Sequence, residues 1–370
     1  MTTTTSLIRQ AASLLVRRID GFLLGTALAI SGLGMLVLYS ATDASAARVT
    51  SQALNLLFAL GVMWVAANVS PQYYMRWAVP LFAVGVLLLI GVATFGTIVN
   101  GSRRWLSLGV TRIQPSEMMK IAVPLVLAWH FNRQGEALRM RDFVLAAIVI
   151  LVPVALIAKQ PDLGTALLIA ASGFFVLYLA GLNWKVIVLL IVAGAALVPV
   201  VWPHLHDYQQ ERVLVFLDPA RDPLGRGYHI IQGTIALGSG GVLGKGWMNG
   251  TQTHLDFLPE RHTDFIFAVF GEEFGLLGGI ILLVLYLLLI TRGFMITAAA
   301  STLFTRLLAG AITLMFFIYA FVNMGMVSGI LPVVGVPLPL VSYGGTALVT
   351  LYLGLGMLMS IQSNRTLVKT

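Results

Sequence analysis

Residues able to do acid–base chemistry gather in one stretch, Asn249 to Ala268. It holds His254 and His262, Arg261, and three carboxylates, Asp256, Glu260 and Asp264. The apolar run Phe265 to Ile290 follows at once, so these polar groups stand at the mouth of a helix long enough to cross a bilayer. Asp264 is the strongest candidate base. It closes the polar loop and opens the helix, where partial removal from water lifts a carboxylate toward a general base's working range. An N-cap role at the same helix is the structural alternative, and it is compatible with catalysis. No ligand spacing here is diagnostic of zinc; such carboxylates better suit a weakly held Mg²⁺ or Mn²⁺ beside a pyrophosphate. Glu272 and Glu273 fall about 12–13.5 Å further down the helix at 1.5 Å per residue, which assigns them to bonds between helices.

Three smaller constellations accompany this stretch. Glu117 and Lys120 sit three apart at the start of an apolar run, so they share a helix face and can pair. Charges inside a span cost about 2.5–3.5 kcal/mol on insertion scales, so the pair is either a structural neutralisation or part of a cavity. Lys159 and Asp162 bracket Gln160-Pro161; the competing readings are a snorkelling lysine and a helix-start acid. Arg103, Arg104 and Trp105 fit an anionic, membrane-bound headgroup, because arginine offers a planar fork to phosphate and tryptophan favours the interface. Anchoring to ordinary lipid phosphates is the alternative. The run Gly238 to Gly246 lacks the strand–helix context of a nucleotide loop and reads as flexible chain beside a site.

These groups need a scaffold, and composition says which kind. Of 370 residues, 58% are hydrophobic and only 10% charged, with a mean hydropathy of +0.91. A soluble domain carries about a quarter charged residues, so this is an all-α integral membrane protein. The absence of cysteine excludes thiol catalysis, disulfides and thiolate metal sites. The net charge of +8 comes without a long basic run or a basic amphipathic helix, which argues against nucleic acid. The polar start Met1–Gln10 and a first apolar run of full span length predict no cleavable signal peptide.

Apolar runs predict ten transmembrane helices, near 20–41, 52–69, 76–97, 115–131, 142–158, 163–181, 185–202, 264–291, 304–330 and 344–361. Basic residues orient them. With both termini inside, the cytoplasmic pieces carry Arg9, Arg17, Arg18, Arg76, Arg133, Arg139, Arg141, Lys185, Arg292, Arg306, Arg365 and Lys369, against only Asp20, Glu136 and Asp142. The organisation expected is a cytoplasmic tail (1–19), helices one to seven (20–202), a large outer loop (203–263), helices eight to ten (264–361) and a cytoplasmic tail (362–370). Nearly every carboxylate then faces outward, where no ATP is available. The segment 331–343 is apolar but broken by three prolines and a glycine. Such backbone is tolerated at membrane depth only against protein or a cavity, so it is expected to face a groove.

Five motifs carry a family resemblance: Leu258-Pro-Glu-Arg-His-Thr-Asp-Phe-Ile-Phe-Ala268, Gly227-Tyr-His-Ile-Ile-Gln232, Gln114-Pro-Ser-Glu-Met-Met-Lys120, Gln160-Pro-Asp-Leu-Gly-Thr165 and Gly335-Val-Pro-Leu-Pro-Leu-Val-Ser-Tyr-Gly-Gly345. Together, across about residues 20–362, they resemble the SEDS (shape, elongation, division, sporulation) family. Arg261 and the Tyr228–Gln232 run favour its rod-shape branch over its division branch. The resemblance implies a ten-span peptidoglycan glycosyltransferase of the bacterial inner membrane. Such an enzyme polymerises lipid II, carried on undecaprenyl pyrophosphate, with a class B penicillin-binding protein and other elongation-complex proteins as partners. It places the family's essential aspartate on Asp264, its Glu/Lys pair on Glu117 and Lys120, its acid before helix six on Asp162, its arginine before a tryptophan on Arg104 and its upstream loop acid on Asp256. Lys159, Glu260, Arg261 and His262 complete the expected substrate-binding set. A divalent cation is the only cofactor expected, and no nucleotide. A lipid II flippase and a non-catalytic scaffold are the competing functions; the one-sided distribution of charge argues against a translocation path.

Overall fold

The computed structural model describes residues 18–99, 102–107, 112–135, 138–205, 207–223, 225–255, 258 and 260–365. Asp256, the side chain of His254, and the flanking residues Arg9, Arg17, Glu136 and Lys369 lie outside the described residues.

Among the described residues ten long helices are present: α1 (Gly21–Ala41), α2 (Ala46–Asn68), α3 (Pro71–Phe95), α4 (Pro115–Gln134), α5 (Met140–Ala158), α6 (Leu163–Leu179), α7 (Trp184–Val201), α11 (Ile266–Ala298), α12 (Leu303–Val327) and α13 (Gly345–Ser363). The outer loop between α7 and α11 adds α8 (Asp207–Leu217), α9 (Arg226–Ser239) and the single turn α10 (Thr251–His254). Eight of the ten are long and apolar enough to cross a membrane; α6 is shorter, and α4 carries Glu117, Lys120 and Arg133. Several begin earlier or end later than hydropathy predicts. α2 starts at Ala46, not 52, and α11 runs to Ala298, not 291, because a helix continues past the hydrocarbon into polar residues that a hydropathy count discards.

Local chemistry sets the ends. Proline occupies the first turn of α3 and α4, where its missing N–H costs nothing. Asp20, Asp162 and Thr302 accept backbone N–H groups at the starts of α1, α6 and α12. Asp20 also binds Arg292 of α11 (Nη2–Oδ2 2.5 Å), tying the start of the first span to the later half of the eighth.

α4 is the hub. Nearly every residue from Pro115 to Ala128 is buried, and it packs on α3, α5, α6, α12 and α13. At the other extreme, α7 has no buried residue; Val186 and Ile187 near its start pack against the core, and most of the rest of its apolar surface is exposed.

Two features depart from the sequence reading. The loop after α3 is a small antiparallel sheet, β1 (Thr97–Val99), β2 (Ser102–Ser107) and β3 (Arg112–Ile113), in the order β1-β2-β3. Alternation along β2 puts Arg104 on the opposite face from Arg103 and Trp105. The glycine run 238–246 is not a flexible neighbour of the site. α11 is broken at Gly275 (φ 64°, ψ −162°), and the run lies against the break. Lys245 and Gly246 donate their N–H groups to the carbonyls of Glu272 and Glu273, while Gly241 and Val242 accept from Leu276 and Leu277. Backbone at membrane depth must be satisfied by protein, and here the loop satisfies it. A Cβ on Gly244 would collide with the Glu273 carbonyl.

Candidate active site

Asp264 lies between the Glu260 turn and the first residue of α11. It is not the N-cap; Phe265 takes that place. Its half-buried carboxylate receives no hydrogen bond among the described residues. It lines a cavity of about 180 Å³ with Glu260, His229, Phe265, Val215, Ile230 and Val333. Burial raises its pKa to about 6, reinforced by the negative charges of Glu260 and Asp162 and opposed by Arg104. A carboxylate at that value is ionised at neutral pH and basic enough to take a hydroxyl proton.

The turn before it is held from several directions. Glu260 takes a left-handed backbone (φ 51°) and accepts from the Thr263 hydroxyl at Oε2 (2.8 Å). Arg261 pairs with Asp43 in the first outer loop (2.5 Å) and also donates to the Thr253 carbonyl. Expected to bind substrate, Arg261 in this structure holds the loop. His262 lies beside Tyr343, ring centroids 5.9 Å apart; burial, with the charge of Arg48, holds its imidazole below the ordinary value.

A second cluster surrounds Asp162, which is buried and accepts from Thr165 N at the start of α6. Arg104 reaches it from β2: Nη2 donates to the Pro161 carbonyl (2.6 Å), Nη1 stands 3.9 Å from Asp162 Oδ1, and Nε has no partner among the described residues. Gln114 donates to the other Asp162 oxygen (3.4 Å). A half-satisfied guanidinium beside a carboxylate suits a phosphate oxygen. Lys159 stands apart: it is the exposed C-cap of α5, its backbone N–H closes the helix on the Ala155 carbonyl, and its ammonium makes no hydrogen bond or ion pair among the described residues.

Glu117 and Lys120 form a buried pair (2.5 Å). The ammonium lies 5.0 Å from the ring centroid of Tyr319 on α12. Glu117 Oε2 has no partner among the described residues. Glu272 does not join helix to helix: it anchors the outer loop, accepting from Lys245 (2.7 Å), Thr251, Gln252 and Thr253. Glu273 does reach another helix, accepting from Ser40 of α1.

His229, which lies in the Gly227–Gln232 motif but has no role assigned from sequence, also lines the cavity. It stacks on Phe265 at 5.9 Å from α9, whose strongly one-sided apolar pattern was the available signal. A groove of about 800 Å³ at the opposite end, lined by Arg18, Tyr73, Tyr74, Trp77 and aliphatic side chains, carries no carboxylate.

The family model for FtsW/RodA/SpoVE cell cycle proteins matches residues 21–367. The chain belongs to this family. This FtsW/RodA/SpoVE protein is 51% identical over 348 residues to the peptidoglycan glycosyltransferase MrdB of Escherichia coli strain K12, covering 94% of each chain. It is 36% identical over 359 residues to the probable peptidoglycan glycosyltransferase FtsW of Trichlorobacter lovleyi, covering 93% of each. Among solved structures it matches a chain from work on the coordination of polymerization and crosslinking by a peptidoglycan synthase complex, with TM-score 0.83, 34% identity and coverage of 94% and 98%. The rod shape determining protein RodA of Thermus thermophilus matches with TM-score 0.72 and 30% identity, covering 94% and 97%.

Proposed function

We propose that this chain is a peptidoglycan glycosyltransferase that polymerises lipid II at the outer face of the bacterial inner membrane during cell elongation, with Asp264 as general base. The family and the names of its relatives support the reaction class. The single observation that carries the base assignment is the unbonded, half-buried carboxylate of Asp264 in a cavity shared with Glu260 and His229.

In this reading the acceptor is the 4-hydroxyl of a lipid-linked GlcNAc and the donor a MurNAc joined through C1 to undecaprenyl pyrophosphate. As the hydroxyl oxygen forms its bond to C1 with inversion, its proton passes to Asp264. The bond from C1 to the pyrophosphate oxygen breaks, and the departing charge is met by Arg104 and by the fixed ammonium of Lys120. The pyrophosphate already holds the bond energy, so no nucleotide is needed.

A divalent cation fits this scheme. Among the described residues no three metal-ligating side chains converge, but Mg²⁺ and Mn²⁺ are commonly held by one or two carboxylates completed by substrate phosphates and water. Asp162 and Glu260 are the carboxylates available, and the ion would neutralise leaving-group charge. The match to a complex that couples polymerization to crosslinking supports a class B penicillin-binding protein as partner.

The test is reconstitution of the purified chain with that partner and lipid II. Glycan polymer from the parent, and none from Asp264→Ala, supports the enzyme. Translocation of lipid II without polymer supports the flippase, and Asp264→Asn that sustains rod shape in cells supports the scaffold; either outcome sinks the proposal.

A further inference from the structure

Three successive carbonyls at the end of the outer loop are all engaged from one side. The His262 carbonyl accepts from Tyr343 N–H (2.9 Å) and the Thr263 carbonyl from the Ser342 hydroxyl (2.7 Å). The Asp264 carbonyl accepts from Nδ2 of Asn323 (2.8 Å), a residue of α12. The second N–H of that amide goes to the carbonyl of Val336 (2.7 Å). One nitrogen therefore ties the main chain of Asp264 to the segment 331–343, one residue past Gly335. Gly335 is the residue that the Asp264 carboxylate overlies: a Cβ there would stand 3.3 Å from Oδ2.

Asn323 is fully buried, and its Oδ1 has no partner among the described residues. The amide cannot be turned round, because Oδ1 would then face two carbonyl oxygens. Of the small polar side chains, only an asparagine-type NH₂ donates twice from one atom; serine and threonine donate once. A buried acceptor left unmet costs free energy, so this position tolerates a penalty to keep two donors together. Tyr343 and Ser342 hold the approach to Asp264, and Asn323 holds Asp264 itself.

We propose that Asn323 is a positioning residue for glycosyl transfer, fixing the main chain of Asp264 against Val336 so that the carboxylate is presented over Gly335. The inference rests on the reading of Asp264 as base. Asn323 touches no substrate. It acts through the direction in which the carboxylate points, and displacement of a reacting group by about 1 Å can cost a hundredfold.

The test compares the full-length parent, Asn323→Asp, Asn323→Ala and Asp264→Asn, each with its crosslinking partner and lipid II. Initial polymerisation rates are followed from about pH 5 to pH 8, and folded, monodisperse protein is quantified in parallel. Asn323→Asp keeps the side chain's shape and loses the paired donors, so it isolates positioning from cavity formation. The expected result, per folded molecule, is kcat lower by about tenfold to a hundredfold in both Asn323 variants, with KM for lipid II within about twofold of the parent. The acid limb should also move below the parent's, because a released carboxylate regains water. Parent-like rates, or a loss matched by lost folded protein with the parent's pH profile, overturn the positioning role. Polymer from Asp264→Asn overturns instead the base assignment on which it rests.

Discussion

Oδ2 of Asp264 and the α-carbon of Gly335 are in such close register that a methyl group on Gly335 would touch the carboxylate. Gly335 also has φ +74°, a left-handed conformation that costs an L-residue about 1–2 kcal/mol. Gly335→Ala is expected to lower stability by about that amount and to lower polymerisation by more than the loss of folded protein explains. Thermal unfolding and lipid II polymerisation on the same preparation separate the two effects.

Burial makes Asp264 a weaker acid, and this fixes the sign of two pH effects. As base it must be ionised, so activity should fall as pH drops through about 6. Stability runs the other way. The native state keeps a proton between about pH 4 and 6 that the unfolded chain has released, so stability declines as pH rises through that window. Asp264→Asn should therefore abolish polymer and stabilise the protein by about 1–3 kcal/mol at neutral pH. The gain should fade toward pH 4; a constant gain across pH would contradict the linkage. Melting temperatures of parent and variant over that range provide the measurement.

The Glu117–Lys120 pair is buried in α4, a helix enclosed along nearly all of Pro115 to Ala128. Removing one partner strands a charge, at a cost of about 3–5 kcal/mol. Glu117→Gln and Lys120→Met should each destabilise strongly, and the double variant should recover much of the stability. If Lys120 serves the pyrophosphate, the double variant stays inactive; recovery of polymer together with stability would reduce the pair to scaffolding.

Glu272 gathers Lys245, Thr251, Gln252 and Thr253 from the outer loop onto α11. Glu272→Gln removes the charge from this anchor while keeping its size. Faster cleavage by an added protease within 245–255 is expected, with the spans intact. An unchanged digestion pattern would show that the glycine run holds the loop unaided.

Much of this was legible from sequence for one reason: a bilayer leaves little choice. Ten apolar runs become ten helices because a lone segment satisfies its own backbone in lipid only as a helix, and Glu117 and Lys120 pair because three residues make nearly one helical turn. What escaped was set by distant contacts. Asn323 is a lone amide between Val322 and Met324, and nothing local says which carbonyls it meets. Arg261 sits in the right motif, yet Asp43, more than two hundred residues away, determines where it points. The strands at 97–113 are too short to show alternation above the noise of a loop. For Asn323 and Arg261 the missing information was the distant partner.

The break at Gly275 divides α11 into two portions that one loop staples together. Its outer portion, Ile266 to Phe274, follows directly on Asp264 and Phe265 and accepts the N–H groups of Lys245 and Gly246 at the carbonyls of Glu272 and Glu273. Its inner portion is fixed to the first span through Arg292 and Asp20. The run 241–246 bonds on both sides of the break, to the carbonyls of Glu272 and Glu273 before it and to the N–H groups of Leu276 and Leu277 after it, so a displacement of that run would load both portions of α11 and reach Asp264 through a helical segment about 14 Å long.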